Sequence, residues 1–199
     1  MRKTKKLLVF TLVCTLIMSM SFSAFAGSAM AAEVKTGGTI RVGTSLTPPI
    51  LGYTPEASGN LYIPYLRLTY NTLVFYDEAG QMIPQLAESW TTDPEALTIT
   101  FNLRSGVKFS DGTDFNAEAV KWNIEQYQEA KRSEVAVVES IVTPDDTTVI
   151  LHLSKWNSST LGRVGFFVSY MSPTAFEQNG GATGSRLIPV GTCPSLVLI

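Results

Sequence analysis

The hydrophobic pattern changes period along the chain, and each change marks an element. The sharpest stretch is Thr98–Leu103, where Ile99, Phe101 and Leu103 alternate with Thr98, Thr100 and Asn102. A period of two with apolar residues on one side predicts a strand with one buried face. Val107 and Phe109 continue the alternation beyond Ser105-Gly106, and Ser110-Asp111-Gly112-Thr113-Asp114 reads as a turn. The period then lengthens. Val120, Ile124 and Tyr127 fall at i, i+4 and i+7, which is one face of a helix. Asn116 stands where an N-cap belongs, and Glu118 suits the positive end of the helix dipole.

Elsewhere the pattern is less regular. Thr39-Ile40-Arg41-Val42-Gly43 reads as a first strand, followed by a loop rich in Pro, Gly and Ser over residues 44–60. Residues 61–70, apolar at mixed spacing, read as a helix leading into a strand over residues 73–76. Asp77-Glu78-Ala79-Gly80 then makes a turn. Two strands, 135–142 and 147–153, joined at Pro144-Asp145-Asp146, predict a hairpin. Ser158 or Ser159 is placed to cap a short helix, and Pro173–Gln178 reads as another. There is no internal repeat, and this mixed order of strands and helices is that of an α/β fold.

The first residues stand apart. Arg2, Lys3, Lys5 and Lys6 precede an uncharged apolar run over residues 7–20, and small residues follow as Ala24-Phe25-Ala26 and Ala29-Met30-Ala31. That order is a secretory signal over residues 1–26, with cleavage as late as residue 31 as the variant reading. A retained anchor is the competing reading, because residues 7–26 just reach the roughly 20 apolar residues that span a bilayer. The two small-x-small sites favour cleavage. Cys14 lies inside the apolar run behind Val13 and reads as filler, so Cys193 alone survives processing and forms no intrachain disulfide.

Composition adds little beyond this. At 199 residues, 45% hydrophobic and 16% charged, the chain is globular and large enough to bury a core. Removing the signal takes four positive charges and shifts the formal net charge from −2 to −6. No basic patch interleaved with aromatics is present, which excludes nucleic acid as the expected partner.

Catalytic signatures are missing. His152 is the only histidine and sits in a strand pattern, with Leu151 and Leu153 on the opposite face and no further metal ligands at suitable spacing. No Gly-x-Ser-x-Gly elbow occurs. Gly180, Gly181 and Gly184 precede Ser185-Arg186 where a phosphate-binding loop requires Gly-Lys. Asp111 and Asp114 have the composition of a carboxylate pair or a calcium site, but an Asp-Gly turn uses such residues for backbone reasons alone. The expectation is a protein without cofactor or catalysis.

One long stretch carries a resemblance. Pro84-Gln85-Leu86-Ala87-Glu88-Ser89-Trp90 is followed by Thr98 through Gly112 in the order TITFNLRSGVKFSDG, and then by Phe115-Asn116-Ala117-Glu118-Ala119-Val120. This resembles the signature of the family 5 extracellular solute-binding proteins of ABC transporters, the oligopeptide, dipeptide and nickel group. Gly37-Gly38-Thr39-Ile40-Arg41-Val42-Gly43 is similar to the family's first strand. Residues 138–153 resemble its strand pair, Ser172-Pro173-Thr174-Ala175-Phe176 its helix start, and Pro189-Val190-Gly191-Thr192 its Pro-Val-Gly-Thr loop. Within the signature, Trp90 reads as a large buried anchor beside a strand, and Arg104 and Lys108 as the flanks of a tight Ser-Gly turn whose Gly106 supplies backbone freedom. Cys193, Ser195 and Asp93-Pro94-Glu95-Ala96 depart from the family pattern.

The resemblance implies a periplasmic-binding-protein-like type II α/β fold, with residues 37–199 as the N-terminal part of the family domain. Family members have a second lobe beyond this point, so a partial first lobe is expected, from a fragment, a frameshift or an incomplete gene. It also implies a two-lobed clamp that closes over a small peptide or similar solute and docks on a membrane permease of an ABC importer, as a monomer in the periplasm or at the cell surface. A nickel or other small-solute binder and an exported hydrolase lacking its catalytic part are the alternatives, alongside an inactive secreted scaffold. For solute contact the candidates are Thr44, Ser45, Leu46 and Tyr53, because that loop leaves the C-terminal end of a strand, where open α/β sheets place ligands. A plain surface loop with Pro-fixed turns is the other reading of the same residues.

Overall fold

The computed structural model describes Gly38, residues 50–57 and residues 62–193. The chain divides into Met1–Thr44 and Ser45–Ile199, and every described residue but Gly38 belongs to the second unit. The signal reading, the expected first strand and the candidates Thr44, Ser45 and Leu46 lie outside the described residues. Among the described residues no helix is long and apolar enough to cross a membrane.

The elements run α1 (Ile63–Leu66), β1 (Val74–Tyr76), β2 (Met82–Pro84), β3 (Ala87–Asp93), β4 (Thr98–Leu103), α2 (Ala117–Glu129), β5 (Val138–Asp145), β6 (Thr148–Leu153), α3 (Thr160–Phe167), α4 (Pro173–Gln178) and α5 (Gly181–Ser185). β1 and β2 form a two-stranded ribbon across the Asp77–Gly80 turn, where the Asp77 carboxylate accepts from the Ala79 and Gln81 N–H groups. The other four strands form a sheet in the order β3-β4-β6-β5, and every described pairing is antiparallel.

The alternation in β4 works as its pattern dictates. Ile99 and Phe101 are fully buried and Leu103 nearly so, while Thr98, Thr100 and Asn102 face away from the core. In β6, Val149, Leu151 and Leu153 take the same side, opposite Phe101 and Ile99 in register. α2 covers this face with Val120, Ile124 and Tyr127, all with no exposed surface. Each such side chain contributes about 1.5–3 kcal/mol relative to exposure. α2 begins where Asn116 accepts from the Ala119 N–H at 2.9 Å, and α4 where Ser172 accepts from the Ala175 N–H at 3.1 Å. Gly106 takes φ +73° in the Ser-Gly turn, a conformation open to glycine and strained for a side chain.

Several expectations are corrected. β3 is a strand in its own right, and Trp90 lies within it opposite Phe101, half-buried and not a fully buried anchor. β3 is an edge strand that turns only Ala87, Trp90 and Thr92 toward the core, so its sequence shows too little alternation to announce it. The helix expected over residues 61–70 shortens to α1, one turn opened by Pro64 and followed by turns. The first hairpin strand starts at Val138, because Val135 is buried in the loop that precedes it. At α3 Ser159 is the N-cap residue but its side chain makes no capping bond; its N–H and hydroxyl donate instead to the Asn157 side-chain oxygen in a turn that precedes the helix.

Candidate functional site

Residues 168–172, between α3 and α4, form a buried segment that pairs with no strand among the described residues. Val168, Ser169, Tyr170, Met171 and Ser172 are each at most 3% exposed. Buried backbone groups need partners, and here side chains provide most of them. The Ser169 N–H donates to the Tyr127 hydroxyl at 3.1 Å, and the Ser169 carbonyl accepts from Thr54 Oγ1 at 3.0 Å. The Met171 N–H donates to Asn123 Oδ1 at 3.0 Å, while Asn123 Nδ2 donates to the Met171 carbonyl at 2.9 Å. Asn123 thereby does for Met171 what a neighbouring strand would do.

The fit has a simple metric basis. Asn123 and Tyr127 stand four residues apart on α2, about 6 Å of helix rise. Ser169 and Met171 stand two residues apart in extended chain, about 6.6 Å. One helix face thus serves alternate residues of the segment. Burial pushes the Tyr127 hydroxyl up, and the bonds from Ser169 and Thr54 oppose this only in part, so the group remains a neutral phenol.

The segment 50–57 packs beside it. The Leu51 and Gly52 N–H groups donate to the Arg186 carbonyl at 2.8 and 2.9 Å, and Glu56 pairs with the Arg186 guanidinium at 2.9 Å. Gly52 is required, because a Cβ there would run into the Ser185 and Ile188 carbonyls. Tyr53, the one solute-contact candidate among the described residues, is 7% exposed and sits in a second core cluster with Leu51, Ala57, Leu66, Tyr70 and Met171. Its ring lies 5.7 Å from that of Phe176. Burial, then Glu129 and Glu56, raise its hydroxyl above the ordinary value, so it stays protonated.

Three motifs far apart in sequence meet on the other side of the segment. Asp111 Oδ2 accepts from Ser172 Oγ at 2.5 Å, and Asp111 Oδ1 accepts from the Thr113 N–H and hydroxyl. The Ser110 N–H donates to the Gly191 carbonyl at 2.8 Å and the Ser172 N–H to the Val190 carbonyl at 3.0 Å. The Asp-Gly turn, the Ser-Pro helix start and the Pro-Val-Gly-Thr loop are thus one hydrogen-bonded node. Burial pushes the Asp111 carboxyl up, but the bonds from Ser172 and Thr113 outweigh it and hold the group below the usual range. Asp114 is bound instead to Lys108 at 2.5 Å, so the two aspartates serve different partners.

Asn123, Thr54 and the Tyr127 hydroxyl escaped the sequence reading. One signal was available: Asn123 is an amide on the apolar face of α2, and a buried amide needs partners. His152 is exposed in β6, opposite Thr98 and Ser140. Among the described residues no group of three or more His, Cys, Asp or Glu is placed to hold a metal. The arrangement as a whole buries residues 168–172 and ties their backbone to α2, to Thr54 and to the Asp111 node.

Comparison with known proteins agrees with that architecture. Residues 81–194 match the family described as bacterial extracellular solute-binding proteins, family 5 Middle, and the chain belongs to it. The glutathione-binding protein GsiB of Shigella flexneri is 37% identical over 148 residues, 70% of this chain and 28% of that protein. Among solved structures, NikA from Brucella suis in complex with Fe(III)-EDTA superposes with a TM-score of 0.63 at 28% identity, over 76% of this chain and 32% of that one. DppA from Helicobacter pylori in complex with the peptide STSA gives 0.62 at 25% identity, over 75% and 35%. The chain spans under a third of the length of the curated relatives it matches.

Proposed function

We propose that this chain is part of the solute-binding component of an ABC importer, that it captures small peptides, and that it contributes one wall of the solute cleft. The family match over residues 81–194 carries this reading. A peptide solute is supported by the relatives named for glutathione and described with a bound peptide. Thr44, Ser45 and Leu46 line the cleft, with Tyr53 anchoring their segment against Phe176. Peptide recognition of this kind takes affinity from backbone hydrogen bonds, and a rigid wall limits the ordering cost of binding. The protein is exported under direction of residues 1–26, works in the periplasm or at the cell surface as a monomer, delivers its solute to a membrane permease and catalyses no reaction. A small metal chelate is the second reading, favoured by the likeness to NikA with its Fe(III)-EDTA.

The test replaces the aligned region of Escherichia coli GsiB with the matching residues of this chain and measures peptide uptake in cells lacking native GsiB. Uptake of glutathione or another small peptide is the expected result. A chimera that is exported and folded by circular dichroism, yet supports uptake of no peptide, refutes the peptide assignment. For the purified chain alone, titration calorimetry is expected to give weak binding or none, since burial of solute between two walls is what makes such sites tight.

A further inference from the structure

Arg67 follows α1 and carries a half-buried guanidinium. One terminal nitrogen donates to Thr72 Oγ1 at 2.8 Å, and the other donates to the Phe166 carbonyl at 2.6 Å, near the C-terminus of α3. The guanidinium carbon lies 4.3 Å from the Phe166 ring centroid and 5.5 Å from that of Phe75. These contacts orient the group without neutralising it. The ion pairs among the described residues join Lys108 to Asp114, Arg132 to Glu134 and Arg186 to Glu56, and none includes Arg67.

A cation removed from water without a counter-charge is costly, and ring contacts offset only part of that cost. Burial accordingly lowers the Arg67 pKa to about 10. Guanidinium has five N–H donors, and the two described bonds leave the Nε–H and one N–H on each terminal nitrogen without an acceptor among the described residues. Exposed apolar side chains adjoin the groups it touches: Leu68 is the next residue in the chain, the Phe167 ring lies 5.1 Å from that of Phe166, and Ile83 pairs with Phe75. Leu68 is 44% exposed, Phe167 38% and Ile83 38%.

We propose that Arg67 is the anchor for a solute carboxylate, held by the N–H donors for which no acceptor stands among the described residues, with Leu68, Phe167 and Ile83 receiving the apolar part of the same solute. The inference rests on the reading of this chain as one wall of a solute cleft, and it names the chemical class: a small carboxylic acid, of which a peptide C-terminus is one form. A fixed guanidinium edge suits a carboxylate because two parallel N–H···O bonds form at once. The Phe166 carbonyl and Thr72 fix the plane of that edge in advance, which reduces the ordering cost of binding.

The test uses the full chain with nitrogen-labelled arginine and follows the Arg67 Nε–Hε signal by NMR, assigned through its loss in Arg67→Lys. N-acetylglycine and N-acetylglycinamide are the probes, equal in size and differing in the charge, with sodium chloride at matched ionic strength as control. The expected result is a saturable shift with the acid and at least about tenfold weaker response to the amide. Equal response to acid and amide, a shift reproduced by chloride, or silence to both at tens of millimolar overturns the proposal. The acid–amide comparison is made on the unaltered protein, so it stands even if the lysine variant fails to fold. A chimera that takes up no peptide while Arg67 still discriminates acid from amide would sink the transport reading alone. Uptake with a silent Arg67 would sink this inference alone.

Discussion

Replacing Asn123 with alanine removes the one side chain that serves both backbone groups of Met171. The Met171 N–H and carbonyl are left buried, in a segment 2% exposed at that residue, with no other hydrogen-bond partner among the described residues. An orphaned buried polar group costs about 1–3 kcal/mol, so the two together cost about 2–6 kcal/mol. The third bond, from Asn123 Nδ2 to the Ala119 carbonyl, counts for little because a helix carbonyl has a backbone donor as well. Against a domain stability of about 5–15 kcal/mol this is a large loss. It corresponds to roughly 4–24 °C in Tm for a unit of this size. Urea unfolding followed by tryptophan fluorescence measures it. Asn123→Asp sharpens the test. Its carboxylate still accepts from the Met171 N–H but sets a negative oxygen against the Met171 carbonyl, so its carboxyl pKa is raised in the folded state. That variant is expected to be most damaged at neutral pH and to recover as pH falls through the raised value and a proton restores the donor. An alanine variant within about 0.5 kcal/mol of the parent, or an aspartate variant indifferent to pH, would show that Asn123 does not stand in for a strand.

Lys131 takes φ +54° just beyond α2, where the Lys131 and Arg132 N–H groups close back on Gln128 and Tyr127 in a Schellman cap. Lys131→Gly is expected to raise stability by about 1 kcal/mol, read as a higher urea midpoint at unchanged slope. The lowered Asp111 carboxyl adds stability at and above the pH where an unfolded aspartate ionises, and that contribution is lost as pH falls through the lowered value. The urea midpoint of Asp111→Asn is therefore expected to fall less than the parent's between neutral pH and pH 3. Gly52→Ala forces a Cβ against the Ser185 and Ile188 carbonyls and is expected to cost about 1–3 kcal/mol. Hydrogen exchange should show its effect first at the Leu51 and Gly52 amides bonded to Arg186.

Local rules made much of this fold readable. β4 and α2 were legible because each buries one continuous face and leaves the other outside the core, so a period of two or of 3.6 is written directly in their residues. The cap at Asn116 was legible because a cap acts within four residues, whereas the Ser172 cap was not read as one and only the helix it opens was. β3 was not, since an edge strand with a solvated side needs few apolar residues. The bonds that hold residues 168–172 were hidden for another reason. Asn123 and Met171 are 48 residues apart, Tyr127 and Ser169 are 42 apart, and Thr54 and Ser169 are 115 apart. No spacing rule links such pairs. Only the fold brings them into register. The same holds for Arg67, whose surroundings depend on α3 arriving from 99 residues downstream.

The node at Asp111 also sets an order of events for a chain emerging from the ribosome. By residue 153 all four strands of the main sheet exist, and hairpin closure between β5 and β6 involves short loops that form quickly. The Asp-Gly turn, already synthesised, then waits for Ser172 and for Val190 and Gly191 before its bonds can close. Such long closures carry a loop-entropy cost that is met only late. Nascent chains arrested with residue 153 just clear of the ribosome should therefore hold a protected sheet beside an unlatched turn, and protection at the Ser110 amide should appear only once residue 191 is free to fold.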